Sequence, residues 1–131
     1  KAMLESYKEK MEVHGIYVTR LMIAIGQNYF SYEPVMHWFD EWYPVHKRTP
    51  EPKHLQTLKE PAPNPEAAAL VAEIREKTVA IFTKYGAASN QIGKTYPYFD
   101  SLLPETAQVV GGIKKLLDPN GLVNPETPGF K

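Results

Sequence analysis

The stretch IYVTRLMIAIGQNYFSYEPVMHWF, residues 16–39, decides how the chain folds. Its first half, Ile16 to Ile25, is rich in β-branched and aromatic residues and reads as a strand. Gly26-Gln27-Asn28 is a short turn. Tyr29 to Phe39 reads as the returning strand of a hairpin, with Phe30, Tyr32, Met36 and Trp38 on one face. His37 alternates with Met36 and Trp38, so it points to the opposite face. Pro34 cannot donate to a ladder and predicts an edge position or a bulge.

Upstream, Met3, Leu4, Tyr7 and Met11 are spaced for one face of an amphipathic helix over Ala2 to Met11. Downstream, Asp40 to Pro63 is dense in proline and carries His46 and His54. It reads as a long irregular excursion over the surface, of the kind that is functional or covers a partner. Asn64-Pro65-Glu66 is a helix start, with Asn as N-cap, Pro at the first position and an acid in the first turn. The helix that follows carries Leu70, Val71, Ile74, Ile81, Phe82 and Tyr85 on one side, and Gly86 ends it as a left-handed cap. Ala87 to Ile92 is a short candidate strand, and Gly93 to Pro104 a loop. Pro104 opens a last helix with the stripe Val109, Val110, Ile113, Leu116 and Leu117. Asp118-Pro119 stops it, and Pro119-Asn120-Gly121 has turn chemistry.

The order is helix, strand, strand, helix, strand, helix. This predicts an α+β domain: a ferredoxin-like antiparallel sheet with helices on one face, lacking its first strand, plus a C-terminal helix and tail. The missing strand is expected just before Lys1, as in a piece of a larger protein.

Composition narrows the function. The 131 residues suffice for one domain with a single core. Fifteen Lys+Arg balance fifteen Asp+Glu, so no net field favours nucleic acid or an anionic membrane. There are no cysteines, which removes disulfides, thiolate metal sites and a thiol nucleophile. No apolar run has the length of a membrane span, and no signal-peptide pattern opens the chain, so a cytoplasmic setting is expected. Eight Tyr and twelve Pro suit a domain that bears a pocket or covers a partner.

Two stretches could carry chemistry. On the hairpin, His37, with Glu33 or Arg20 across the ladder, could bind a substrate. The second is S-N-Q-I-G-K-T-Y-P-Y, residues 89–98. Asn90 and Gln91 supply amides, Lys94 an ammonium, and Tyr96 and Tyr98 phenols. A cation beside phenols suits an organic anion, and a phenol can donate to a developing oxyanion. Lys94 and Tyr96 are the catalytic candidates; Asn90, Gln91, Tyr98, His37 and Arg20 are substrate-binding candidates. There is no G-x-G-x-x-G after a strand, no P-loop and no G-x-S-x-G elbow.

The ending L-D-P-N-G-L-V-N-P, residues 117–125, closely resembles that of the FAD-linked oxidases, which include glycolate oxidase, D-lactate dehydrogenase and vanillyl-alcohol oxidase. The resemblance covers Gly15 to Pro125. It implies a ferredoxin-like substrate or cap domain, with FAD bound mainly by another domain of the same or a companion polypeptide. It also implies oxidation of an alcohol or 2-hydroxy acid by hydride transfer to the flavin. Glycolate- and lactate-type members carry G-E-H-G-I-G where this chain has Ser89-Asn90-Gln91-Ile92-Gly93. Ile92-Gly93 is retained, but the acid and histidine are replaced, so no metal site carries over. The run Gln91 to Tyr98 is closer to the vanillyl-alcohol oxidase type. That likeness places Lys94, Tyr96 and Tyr98 on the substrate side and Asn124 on the flavin side. This chain alone is expected to be inactive. The alternatives are a stand-alone ferredoxin-like binding or regulatory module, with homo-oligomers possible through its sheet, and a structural interaction subunit.

Overall fold

A computed structural model describes residues 2–89, 91 and 96–125. The chain is α+β, with several helices, one of them near its C-terminal end, and a two-stranded antiparallel sheet among the described residues. It divides into two compact units, residues 1–74 and 75–131.

The first unit begins with α1 (Ala2–Ser6) and α2 (Lys8–Val13), where the spacing predicts one continuous helix. The break is local. Ser6 donates its hydroxyl to the Met3 carbonyl at 2.7 Å, and the Tyr7 N–H turns back to Leu4 at 3.2 Å, tightening the chain to a three-residue step. The apolar stripe survives, because Leu4, Tyr7 and Met11 are all buried. At the end of α2, Gly15 takes φ 65°. The Gly15 N–H reaches the Glu12 carbonyl at 3.2 Å and the Ile16 N–H reaches Met11 at 2.8 Å. This is a Schellman closure, with buried Ile16 packed beside buried Met11 as that motif favours.

Strand β1 (Tyr17–Ile25) pairs antiparallel with β2 (Tyr29–His37) in the register Tyr17 opposite His37 through Ile25 opposite Tyr29. The hairpin therefore forms where the β-branched run predicts it, with the returning strand two residues shorter. Alternation places Val18, Met36 and Trp38 against the core of the unit. Among the described residues the sheet has only these two strands, so Pro34, opposite Arg20, lies in a strand with a neighbour on one side only. The core joins Leu4, Tyr7, Met11 and Ile16 to Ala67, Leu70, Val71 and Ile74. Tyr7 also donates its hydroxyl to the Glu73 carboxylate.

Residues 40–63 are not wholly irregular. They contain α3 (Pro44–Arg48) and α4 (Pro52–Leu55), each with proline in its first turn, where a missing N–H costs nothing. Two rungs tie the base of the excursion. Asp40 accepts the backbone N–H of Asn64 at 2.7 Å, and Glu60 accepts that of Trp42 at 3.2 Å. Asn64 in turn caps α5 (Pro65–Lys84), accepting the Ala67 N–H at 3.1 Å.

The second unit takes over within α5. Gly86, at φ 70°, closes the helix by a second Schellman pair, its own N–H to Thr83 at 3.0 Å and that of Ala87 to Phe82 at 2.9 Å. The strand expected over Ala87 to Ile92 is not seen where the chain is described: Ala87, Ala88 and Ser89 follow no regular pattern, and Asn90 and Ile92 lie outside the described residues. Small side chains with weak β preference give that segment little to hold a ladder. A 3₁₀ turn (Phe99–Ser101) precedes α6 (Pro104–Leu117). The expected α6 stripe is present but uncovered among the described residues. No residue of α6 is buried, and Leu116 is 80% exposed.

Candidate functional site

The candidates fall in both units, and each group is built by its own segment. In the second unit, Tyr96 and Tyr98 flank Pro97, and the Tyr98 N–H reaches the Tyr96 carbonyl at 2.8 Å. That two-residue closure is a γ-turn, which proline's fixed φ favours at its centre. Ser101 then locks the following turn, donating its hydroxyl to the Tyr98 carbonyl at 2.6 Å. The Tyr98 ring meets Phe99 edge-on at 5.7 Å and is half-buried, while Tyr96 remains 43% exposed. The result is one anchored phenol and one presented phenol, both on a turn fixed at its backbone. Gln91 is exposed, and its carbonyl accepts the Ser89 hydroxyl at 3.3 Å. Asn90 and Lys94 lie outside the described residues.

The tail after α6 is organised by one side chain that sequence reading treats only as a helix stop. The Asp118 carboxylate accepts the N–H of Leu122 at 2.8 Å and of Val123 at 2.9 Å, and it pairs with the Lys114 ammonium one turn back. Lys114 also donates to the Val123 carbonyl at 2.7 Å. Lys114, with the Val123 and Leu122 N–H groups, holds the Asp118 carboxyl down at about 2. The turn inside this clamp uses Gly121 at φ 63°, and Asn124 beyond it takes φ 47°. Asn is the side chain that tolerates that region best after glycine. Asn124 is thereby fixed at its backbone and exposed.

In the first unit, His37 stacks flat on Tyr17, ring centroids 4.6 Å apart, with its Nε2 2.8 Å from the Thr19 hydroxyl. Arg20 stands opposite Pro34, one step out of alternation from Thr19 and His37, so it belongs to the other face of the hairpin. The hairpin does not bring Arg20 and His37 together on one face. Glu33, opposite Leu21, shares the His37 face. Arg20 instead borders a cavity of about 240 Å³ with Glu5, Lys8 and Glu12 at the foot of the hairpin.

Two further features escape sequence reading. Asp40 gathers the Asn64 N–H, the Glu41 N–H and the Trp38 indole N–H, and these donors, Asn64 first, hold its carboxyl below the usual carboxylate range. The proline-rich excursion also folds around a cleft bordered by Trp42, His46, Thr49, Pro50, Leu55 and Leu58. The signal for the second was present in Pro44 and Pro52, each one residue inside a helix start.

Among the described residues no helix is long and apolar enough to cross a membrane. No protein-family model matches the chain, and neither the curated proteins nor the solved structures include a significant match.

Proposed function

We propose that the chain is the C-terminal substrate-binding domain of an FAD-dependent oxidoreductase that oxidises an alcohol or a 2-hydroxy acid. The observation that carries this reading is the Asp118 clamp. It gives three elements of L-D-P-N-G-L-V-N-P a definite place, with Asp118 as the hub, Gly121 as the turn and Asn124 as an exposed amide set at positive φ. A segment so built is a fixed element at the edge of a domain, suited to meeting another domain.

The donors present suit the substrate side of a flavin centre. Tyr96 offers an accessible phenol on a fixed turn, able to donate to a substrate oxygen as charge develops there. Tyr98 holds that turn, and Lys94 is the proposed cation for a substrate anion. The starts of α3, α4, α5 and α6 are each occupied by proline, and none is a glycine-rich turn able to cradle a dinucleotide's phosphates. FAD is accordingly assigned to a partner domain, of the same or a companion polypeptide, and would supply the hydride acceptor.

A second reading, an interaction subunit, is favoured by one observation: Val109, Ile113, Leu116 and Leu117 form an exposed apolar stripe on α6. The visible absorption spectrum of the longest natural form of the protein separates the two. Oxidised-flavin bands are expected. A colourless protein that gains no colour when FAD is added overturns the oxidoreductase reading and leaves the interaction subunit.

A further inference from the structure

The hairpin of the first unit is supported at its foot and bare beyond it, whatever the flavin reading. At the foot, Val18, Met36 and Trp38 lie against the core. In the outer half, Leu21, Ile23, Ile25 and Tyr29 on one face and Met22 and Phe30 on the other are each at least half exposed. A two-stranded ribbon without cover on either face is marginal in water, and further strands are what stabilise it.

The two edges of this ribbon are not equivalent. On β2, Pro34 has no N–H to give, and a strand proline turns that side away from its partner, so the outer edge of β2 lacks a donor there. Glu33 beside it adds a charge, a further guard against pairing. Strand β1 has neither device. Its nine residues hold no proline and one charge, Arg20, and among the described residues no strand lies beyond it. One closed edge and one open edge restrict pairing between copies to β1 against β1, antiparallel about a two-fold axis. Such pairing stops at a dimer, because only closed edges then remain. The sequence of β1 also suits itself. A register centred on Met22 sets Leu21 opposite the second copy's Ile23, Thr19 opposite its Ile25 and Arg20 opposite its Ala24. The two Arg20 residues are then four positions out of step, about 13 Å, where salt screens them. A register centred on Leu21 would bring them onto a diagonal at about 7–8 Å.

We propose that a second copy of this chain adds its β1 to β1, giving a four-stranded antiparallel sheet in the order β2-β1-β1-β2. Main-chain hydrogen bonds carry such an interface more than buried area does, so a dissociation constant of about 10–100 µM is expected. The chain has no cysteine, so a single introduced thiol can form a disulfide only with another copy. Met22→Cys sets the two thiols at the two-fold axis, with Cα atoms about 4.5–5.5 Å apart, inside disulfide range. Oxidised glutathione should capture this variant as a dimer at least tenfold faster than Phe30→Cys. Phe30 shares the Met22 face and is as open, 75% exposed against 68%, but lies on β2. Sedimentation of the full wild-type chain should show a dimer that grows with concentration. Ile23→Lys, a charge at a half-exposed edge position, should weaken it at least tenfold. A wild type still monomeric at about 500 µM, equal capture of the two thiols, or unchanged association of Ile23→Lys would overturn the proposal. The first of these outcomes would leave the open edge to a strand of another polypeptide.

Discussion

The two units hold themselves together by different means. In the first, helices α1, α2 and α5 bury Leu4, Tyr7, Met11, Leu70, Val71 and Ile74 into one apolar core with the foot of the hairpin. In the second, α6 carries an equally regular apolar stripe that buries nothing among the described residues, and its end is fixed by the Asp118 carboxylate. Periodicity alone does not separate these cases. A stripe becomes core only when another element supplies a facing surface, and a polar clamp can order a segment that has no core of its own.

Substitution in the two stripes should show the contrast at its largest. Ile74 is fully buried, so Ile74→Ala should cost about 3 kcal/mol through lost burial and the cavity it leaves. Ile113 is 52% exposed, and Ile113→Ala should cost less than about 1 kcal/mol. Urea unfolding of both variants checks the pair, and equal losses would show that the α6 stripe is covered in solution. A smaller effect is expected at the polar joint of the first unit. Asn64→Ala removes the cap of α5 and should cost about 1 kcal/mol by the same measurement.

The clamp should show itself in acid. The Asp118 carboxyl lies at about 2 in the folded chain against an ordinary 3.8, so the stability it contributes is present above 3.8. That contribution is lost as pH falls through about 2. The amide signals of Leu122 and Val123 should therefore shift together with a midpoint near 2. A midpoint in the ordinary carboxylate range would mean that Asp118 does not hold the tail.

Much of this was legible in the sequence because short-range rules decide it. The β-branched run of Tyr17–Ile25 gives the hairpin, and Asn64-Pro65 and Gly86 bound α5. Gly15, which closes α2 in the same left-handed way, was not read as a cap. The rest depends on partners that pattern does not carry. Proline density over residues 40–63 reads as irregular, yet Pro44 and Pro52 start helices because each sits where no N–H is needed. The candidate residues were chosen for their chemistry, and their geometry was only partly legible. The Tyr96-Pro97-Tyr98 turn follows from proline, whereas Arg20 and His37 differ by an odd number of residues across an antiparallel register, which parts them to opposite faces.

The central claim is that this chain presents a phenol to a substrate oxidised by a flavin. The most direct test is the anaerobic bleaching rate of the flavin in the longest natural form, with an alcohol or 2-hydroxy acid, compared between the wild type and Tyr96→Phe. The account predicts bleaching in the wild type and a rate at least tenfold lower in Tyr96→Phe at unchanged flavin content, the scale of one lost donor to a developing oxyanion. A protein without flavin, or a variant that bleaches as fast as the wild type, would contradict it.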